Sequence, residues 1–118
     1  MDVLLLSSDL LATSKAQAAA LRVGASLSAF ASVDALLERL GAAGAALVAI
    51  DLSTAGLDIA ETVRRLRSAS SLPASILAFG PHVHVERLQA AEAAGCDAVL
   101  ARGQFHAQLD QLLAKHAG

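Results

Sequence analysis

Tryptophan and tyrosine are absent from this chain, and its aromatic residues amount to three phenylalanines. A platform on which single-stranded bases could stack is therefore missing. Excess positive charge is missing too. Nine Lys and Arg against eleven Asp and Glu give a formal charge of −2 and a pI near 6.0, which removes the bulk argument for nucleic-acid binding. The single cysteine, Cys96, excludes an internal disulfide and fits a reducing cytoplasm. No apolar run nears the roughly 20 residues that span a bilayer, and Met1-Asp2 before Val3 to Leu6 lacks the basic start and long apolar core of a secretory signal. The glycines form neither G-x-G-x-x-G nor a Walker loop, so no phosphate cradle is written in the chain. What is there is apolar and rich in alanine. Hydrophobic residues make up 55% of the 118, charged ones 17%, and the mean hydropathy is +0.55, which excludes disorder and suffices for one core. The expectation is one cytoplasmic domain over residues 1–118, with no membrane segment and no nucleic-acid partner.

Short apolar runs alternate with longer periodic segments. Val3 to Ser7 reads as a first strand and Leu10 to Val23 as a helix stopped by Gly24. Ala25 to Ala31 alternates weakly and suits an edge strand. Ser32 caps a helix over Val33 to Leu40, after which Gly41 and Gly44 break the chain. Ala46 to Asp51 is a continuous apolar run ending in one carboxylate, the pattern of a parallel strand buried on both faces. Asp58 caps a helix over Ile59 to Ser68. Pro73 introduces a fourth strand, Ala74 to Phe79, and Gly80-Pro81 turns the chain into a helix over Val85 to Ala94, ended by Gly95. Asp97 to Ala101 is the fifth strand, and the last helix runs from Gln104 to His116 with Phe105, Leu109, Leu112 and Leu113 on one face. Five βα units in a row predict an α/β fold, a doubly wound parallel sheet between two helical layers. In such sheets chemistry gathers where the strands end, which makes Asp51 the first candidate.

At Leu47-Val48-Ala49-Ile50-Asp51-Leu52-Ser53-Thr54-Ala55-Gly56-Leu57-Asp58 and Gly95-Cys96-Asp97-Ala98-Val99-Leu100-Ala101-Arg102 the chain resembles the receiver domain of bacterial two-component response regulators. The resemblance covers essentially the whole chain. It implies a flavodoxin-like, three-layer α/β/α fold with five parallel strands in the order 2-1-3-4-5 and five helices. It also implies that Asp51 stands where the family's phospho-acceptor ends the third strand. Around it the family's helpers are replaced. Ser7 and Ser8 stand where a pair of acids would hold magnesium, with Asp9 one place later. Phe79 or Gly80 stands where a hydroxyl residue would bond the phosphoryl group, and Arg102-Gly103 stands in place of lysine and cis-proline.

Several readings follow. In the first, Asp51 pairs with Arg102 across the strand ends, and the chain is a degenerate pseudo-receiver, not an enzyme and without a cofactor. It then acts on a protein partner or a second copy through the face of helix four, strand five and helix five. In the second, Asp51 is a phospho-acceptor with an altered magnesium shell, Asp9 holding the metal and Arg102, Ser7, Ser8 and Gly80 forming the rim. In the third, His82 and His84, alternate residues of an extended loop, converge on a metal ion or small ligand beside Asp51. Against it stands the reading that these histidines cap the next helix or face solvent. A triad of Ser7 or Ser8 with His82 and Asp51 lacks a nucleophile-elbow sequence. Arg64, Arg65 and Arg67 form a basic cluster, read as a solvated face or as a surface for an acidic partner. Cys96 reads as a small core residue.

Overall fold

Burial of alternate residues decides how the strands are used. The computed structural model describes residues 2–69, 73 and 75–116. In β1 (Val3–Leu6), β3 (Leu47–Asp51) and β4 (Ser75–Gly80), successive side chains enter opposite cores. Val3, Leu5, Leu47, Ala49, Leu77 and Phe79 belong to one core, and Leu4, Leu6, Val48, Ile50, Ile76 and Ala78 to the other. Strands that are apolar on both faces must lie inside the sheet. The half-buried strands β2 (Leu27–Phe30) and β5 (Ala98–Ala101) take the edges, and the parallel order is β2-β1-β3-β4-β5.

The helices divide between the faces. α1 (Leu10–Val23) and α5 (Arg102–Lys115) cover the first core. α2 (Val33–Ala43), α3 (Ile59–Arg67) and α4 (Val85–Ala94) cover the second. The buried residues of α1 are all alanine, Ala12, Ala16, Ala19 and Ala20, which lets its backbone lie close to the sheet. α5 brings bulk instead: the Phe105 ring stacks on Phe79 with centroids 3.9 Å apart. Side chains of Asp9, Ser32 and Asp58 accept backbone N–H bonds at the starts of α1, α2 and α3. Gly24 and Gly95 end α1 and α4 at φ of 72° and 95°, a left-handed turn that a side chain would oppose. Among the described residues no helix is long and apolar enough to cross a membrane.

Some boundaries differ from the sequence expectation. Gly41 does not break α2, which runs on to Ala43 and stops at Gly44, because Leu40 is fully buried and anchors that turn. β4 includes Gly80, and its expected first residue, Ala74, lies outside the described residues. α5 begins at Arg102, two residues earlier than expected, with Gln104 Oε1 accepting a 3.0 Å bond from the Ala101 N–H. Arg102 is therefore the first residue of a helix. The 81–84 segment is a turn, closed by the His84 N–H on the Pro81 carbonyl at 2.9 Å, and not an extended stretch.

Candidate functional site

A parallel sheet brings all its strand C-termini to one rim, so Ser7, Asp51, Gly80 and Arg102 meet there although up to 95 residues separate them in sequence. Asp51 is 1% exposed, and a carboxylate so placed needs hydrogen-bond partners. Both its oxygens have them. Ser7 Oγ donates to Oδ2 at 2.8 Å, and the Ser53 N–H donates to Oδ1 at 2.9 Å. The Thr54 hydroxyl and N–H close the turn on the Asp51 carbonyl at 2.6 and 3.0 Å. Arg102 reaches in from α5. One terminal nitrogen lies 3.7 Å from Asp51 Oδ1 and donates to Ser53 Oγ at 3.2 Å.

The two serines have separate tasks. Ser7 is buried and, besides donating to Asp51, accepts the Asp9 N–H at 3.1 Å. Ser8 is exposed, and its Oγ accepts from the Ala55 N–H at 3.2 Å, tying the end of β1 to the loop after β3. Asp9 spends Oδ1 on the Leu11 N–H as the cap of α1. At Gly80, a Cβ atom would come within 3.3 Å of Leu52 Cβ and 3.5 Å of its Cδ1. Leu52, itself buried, fills the space a hydroxyl side chain would need.

This donor set does not fit magnesium. The ion requires near-octahedral hard oxygens with carboxylates among them. Here two positions are hydroxyls, Asp9 caps a helix, and both oxygens of Asp51 are engaged. Among the described residues no group of three or more His, Cys, Asp and Glu side chains assembles a metal site. His82 and His84 belong to no such group among the described residues. Both are exposed, and His84 occupies the start of α4 without capping it through its side chain, since the turn at Pro81 removes the alternation that would have aimed the two rings together. The triad dissolves for a related reason: Ser7 bonds Asp51 directly. The basic cluster on α3 is paired throughout, Arg64 with Glu61, Arg65 with Asp34, and Arg67 with Asp97 and the Gly95 carbonyl. Cys96 is half-buried at the edge of the second core, and burial pushes its thiol up to about 11, which makes it a poor nucleophile.

One rim residue escapes a reading of the sequence. His106 stands one turn after Arg102 on α5, edge-on to Phe105 and Phe79 at centroid distances of 5.4 and 6.3 Å. Its Nδ1 is buried without a hydrogen-bond partner, as is Arg102 Nε. Desolvation first, then the charges of Lys15 and Arg102, hold its pKa below the usual 6.5 against the opposing pull of Asp51 and Asp9. The spacing of four residues that reveals it becomes visible only once α5 is known to begin at Arg102.

The fold is that of response regulator receiver domains. Among solved structures, the chain is similar to the receiver domain of a sensor histidine kinase from Pseudomonas aeruginosa PAO1, at 17% identity over 99% of this chain and 97% of that one, with a TM-score of 0.82; that domain holds a magnesium ion in its active-site cleft. The signal receiver domain of a Bermanella marisrubri response regulator matches with a TM-score of 0.82 at 19% identity, covering 99% and 98% of the two chains. The receiver domain of NtrX from Brucella abortus matches with a TM-score of 0.79 at 18% identity over 98% and 97%. No family model and no curated protein matches the chain.

Proposed function

We propose that residues 1–118 form a pseudo-receiver, a non-enzymatic signalling domain whose output is contact with another protein and not magnesium-dependent phosphotransfer to Asp51. The observation that carries this reading is that each oxygen of the Asp51 carboxylate already accepts a hydrogen bond within the chain, from Ser7 Oγ and from the Ser53 N–H, with the Arg102 guanidinium facing it at 3.7 Å, where a phospho-acceptor needs a free oxygen beside a metal. Arg102 supplies from within the chain a positive charge facing the carboxylate. The contact surface is the face of α4, β5 and α5, available to a protein partner or a second copy. In support, α4 buries Ala91 alone, β5 is a half-buried edge strand, and Val85 at the start of α4 is 53% exposed.

Incubating the chain with acetyl phosphate or beryllofluoride and magnesium, then recording its intact mass and its sedimentation, tests the reading. The expected result is an unchanged mass and an association state indifferent to the reagents. An Asp51-dependent gain of one phosphoryl group, abolished in Asp51→Asn, overturns it in favour of a phospho-accepting receiver with Arg102 as the phosphate contact.

A further inference from the structure

His106 belongs to neither core nor cap, yet it faces the rim from one side. Its ring rests edge-on against Phe79 and Phe105, so it is held in place by apolar neighbours. Four charged groups act on it: Lys15 of α1, Arg102 one turn earlier on its own helix, Asp51 at the end of β3, and Asp9 at the start of α1, while β4 faces it with the apolar ring of Phe79. Its buried Nδ1 has no partner. A neutral imidazole tolerates that state at a modest cost; an imidazolium, which carries an N–H on both ring nitrogens, does not.

We propose that His106 is a proton-operated control on the Asp51–Arg102 contact, its protonated ring displacing the Arg102 guanidinium from the carboxylate. The inference rests on the reading of Asp51 as a carboxylate held by internal partners. A proton taken from solvent onto the ring adds one positive charge between Lys15 and Arg102, which repel it, and Asp51 and Asp9, which attract it. The contacts at Asp51 differ in strength. Ser7 and the Ser53 N–H bond it at 2.8 and 2.9 Å, whereas Arg102 stands at 3.7 Å, beyond hydrogen-bond reach. Arg102 is the partner that yields. Its bond to Ser53 Oγ at 3.2 Å is a second, uncharged partner that does not depend on the carboxylate. The loop after β3 and the start of α5 thereby become coupled to pH through one ring.

Nuclear magnetic resonance of the labelled full chain from pH 8 to pH 5 reads this directly. The ring nitrogens of His106, Arg102 Nε and the Asp51 carboxyl carbon are followed together. Expected is a His106 midpoint below 6.5, with the Arg102 and Asp51 signals moving at that same midpoint. In His106→Gln the step vanishes from Arg102 and Asp51. In Lys15→Ala, a change at an exposed position that leaves the fold intact, the His106 midpoint rises and the coupled step rises with it. A His106 that titrates while Arg102 and Asp51 stay flat overturns the proposal, as does a step that persists in His106→Gln or ignores Lys15→Ala. Phosphorylation of Asp51 would sink the pseudo-receiver reading by a separate measurement, so the two failures are told apart.

Discussion

Asp51 is held by groups that cost little to keep and much to remove. Ser7 is the clearest case, because its hydroxyl is buried and bonds one carboxylate oxygen from the end of the neighbouring strand. Ser7→Ala strands that oxygen away from water and lowers stability by about 1–3 kcal/mol. Ser8→Ala, at an exposed position, changes it by less than about 0.5 kcal/mol. Urea unfolding of the two variants side by side measures the contrast, and equal effects would show that the Ser7 bond contributes nothing. At this scale Asp51 and Arg102 were legible, as an acid and a base at the ends of apolar runs. Leu52 filling the space above Gly80 was not, because it depends on how closely the turn after β3 lies over the end of β4, where a Cβ on Gly80 would stand 3.3 Å from Leu52 Cβ. His106 was hidden by a helix start misjudged by two residues.

At the scale of elements, burial overrides local preference. Gly41 carries a poor helix propensity, yet α2 continues through it because Leu36 and Leu40 anchor its inner face. The space around a Cβ at 41 is open and its φ is not positive, so Gly41→Ala raises stability by about 0.5–1 kcal/mol through a less flexible unfolded chain. Gly44, at φ 70°, responds in the opposite sense. Thermal unfolding of both variants checks the pair of signs. The strands were legible from continuous or alternating apolar residues, and the caps from Ser32 and Asp58. The 81–84 segment was misread as extended, since i and i+2 spacing says nothing about direction once a turn closes.

For the whole molecule the consequence is a dependence of stability on pH. His106 and His116 both have folded values pressed below 6.5, His106 by burial and then by Lys15 and Arg102, His116 by burial and then by Lys115. Between those depressed values and 6.5 the unfolded chain binds more protons than the folded one. Stability is therefore complete above about pH 6.5 and declines as the pH falls toward the folded values. Asp97, lowered by its bond from the Ile76 N–H and by Arg67, acts in a separate window below 3.8. Urea midpoints recorded from about pH 7.5 down to about pH 5 are expected to fall, and less steeply in His106→Gln; a flat profile contradicts the assignment. The sheet order was legible through a family resemblance, and the comparison with solved receiver domains agrees with it.

By itself the sequence determined the alternation of strands and helices, the parallel sheet and the acid at the end of the third strand, because periodicity and burial are local properties of a chain. Only the tertiary structure decided what surrounds that acid. Ser7 and His106 reach the rim from segments far from Asp51, Leu52 turns back over Gly80 of the next strand, and these meetings are set by how strands and helices close on one another in space, which no spacing along the chain records.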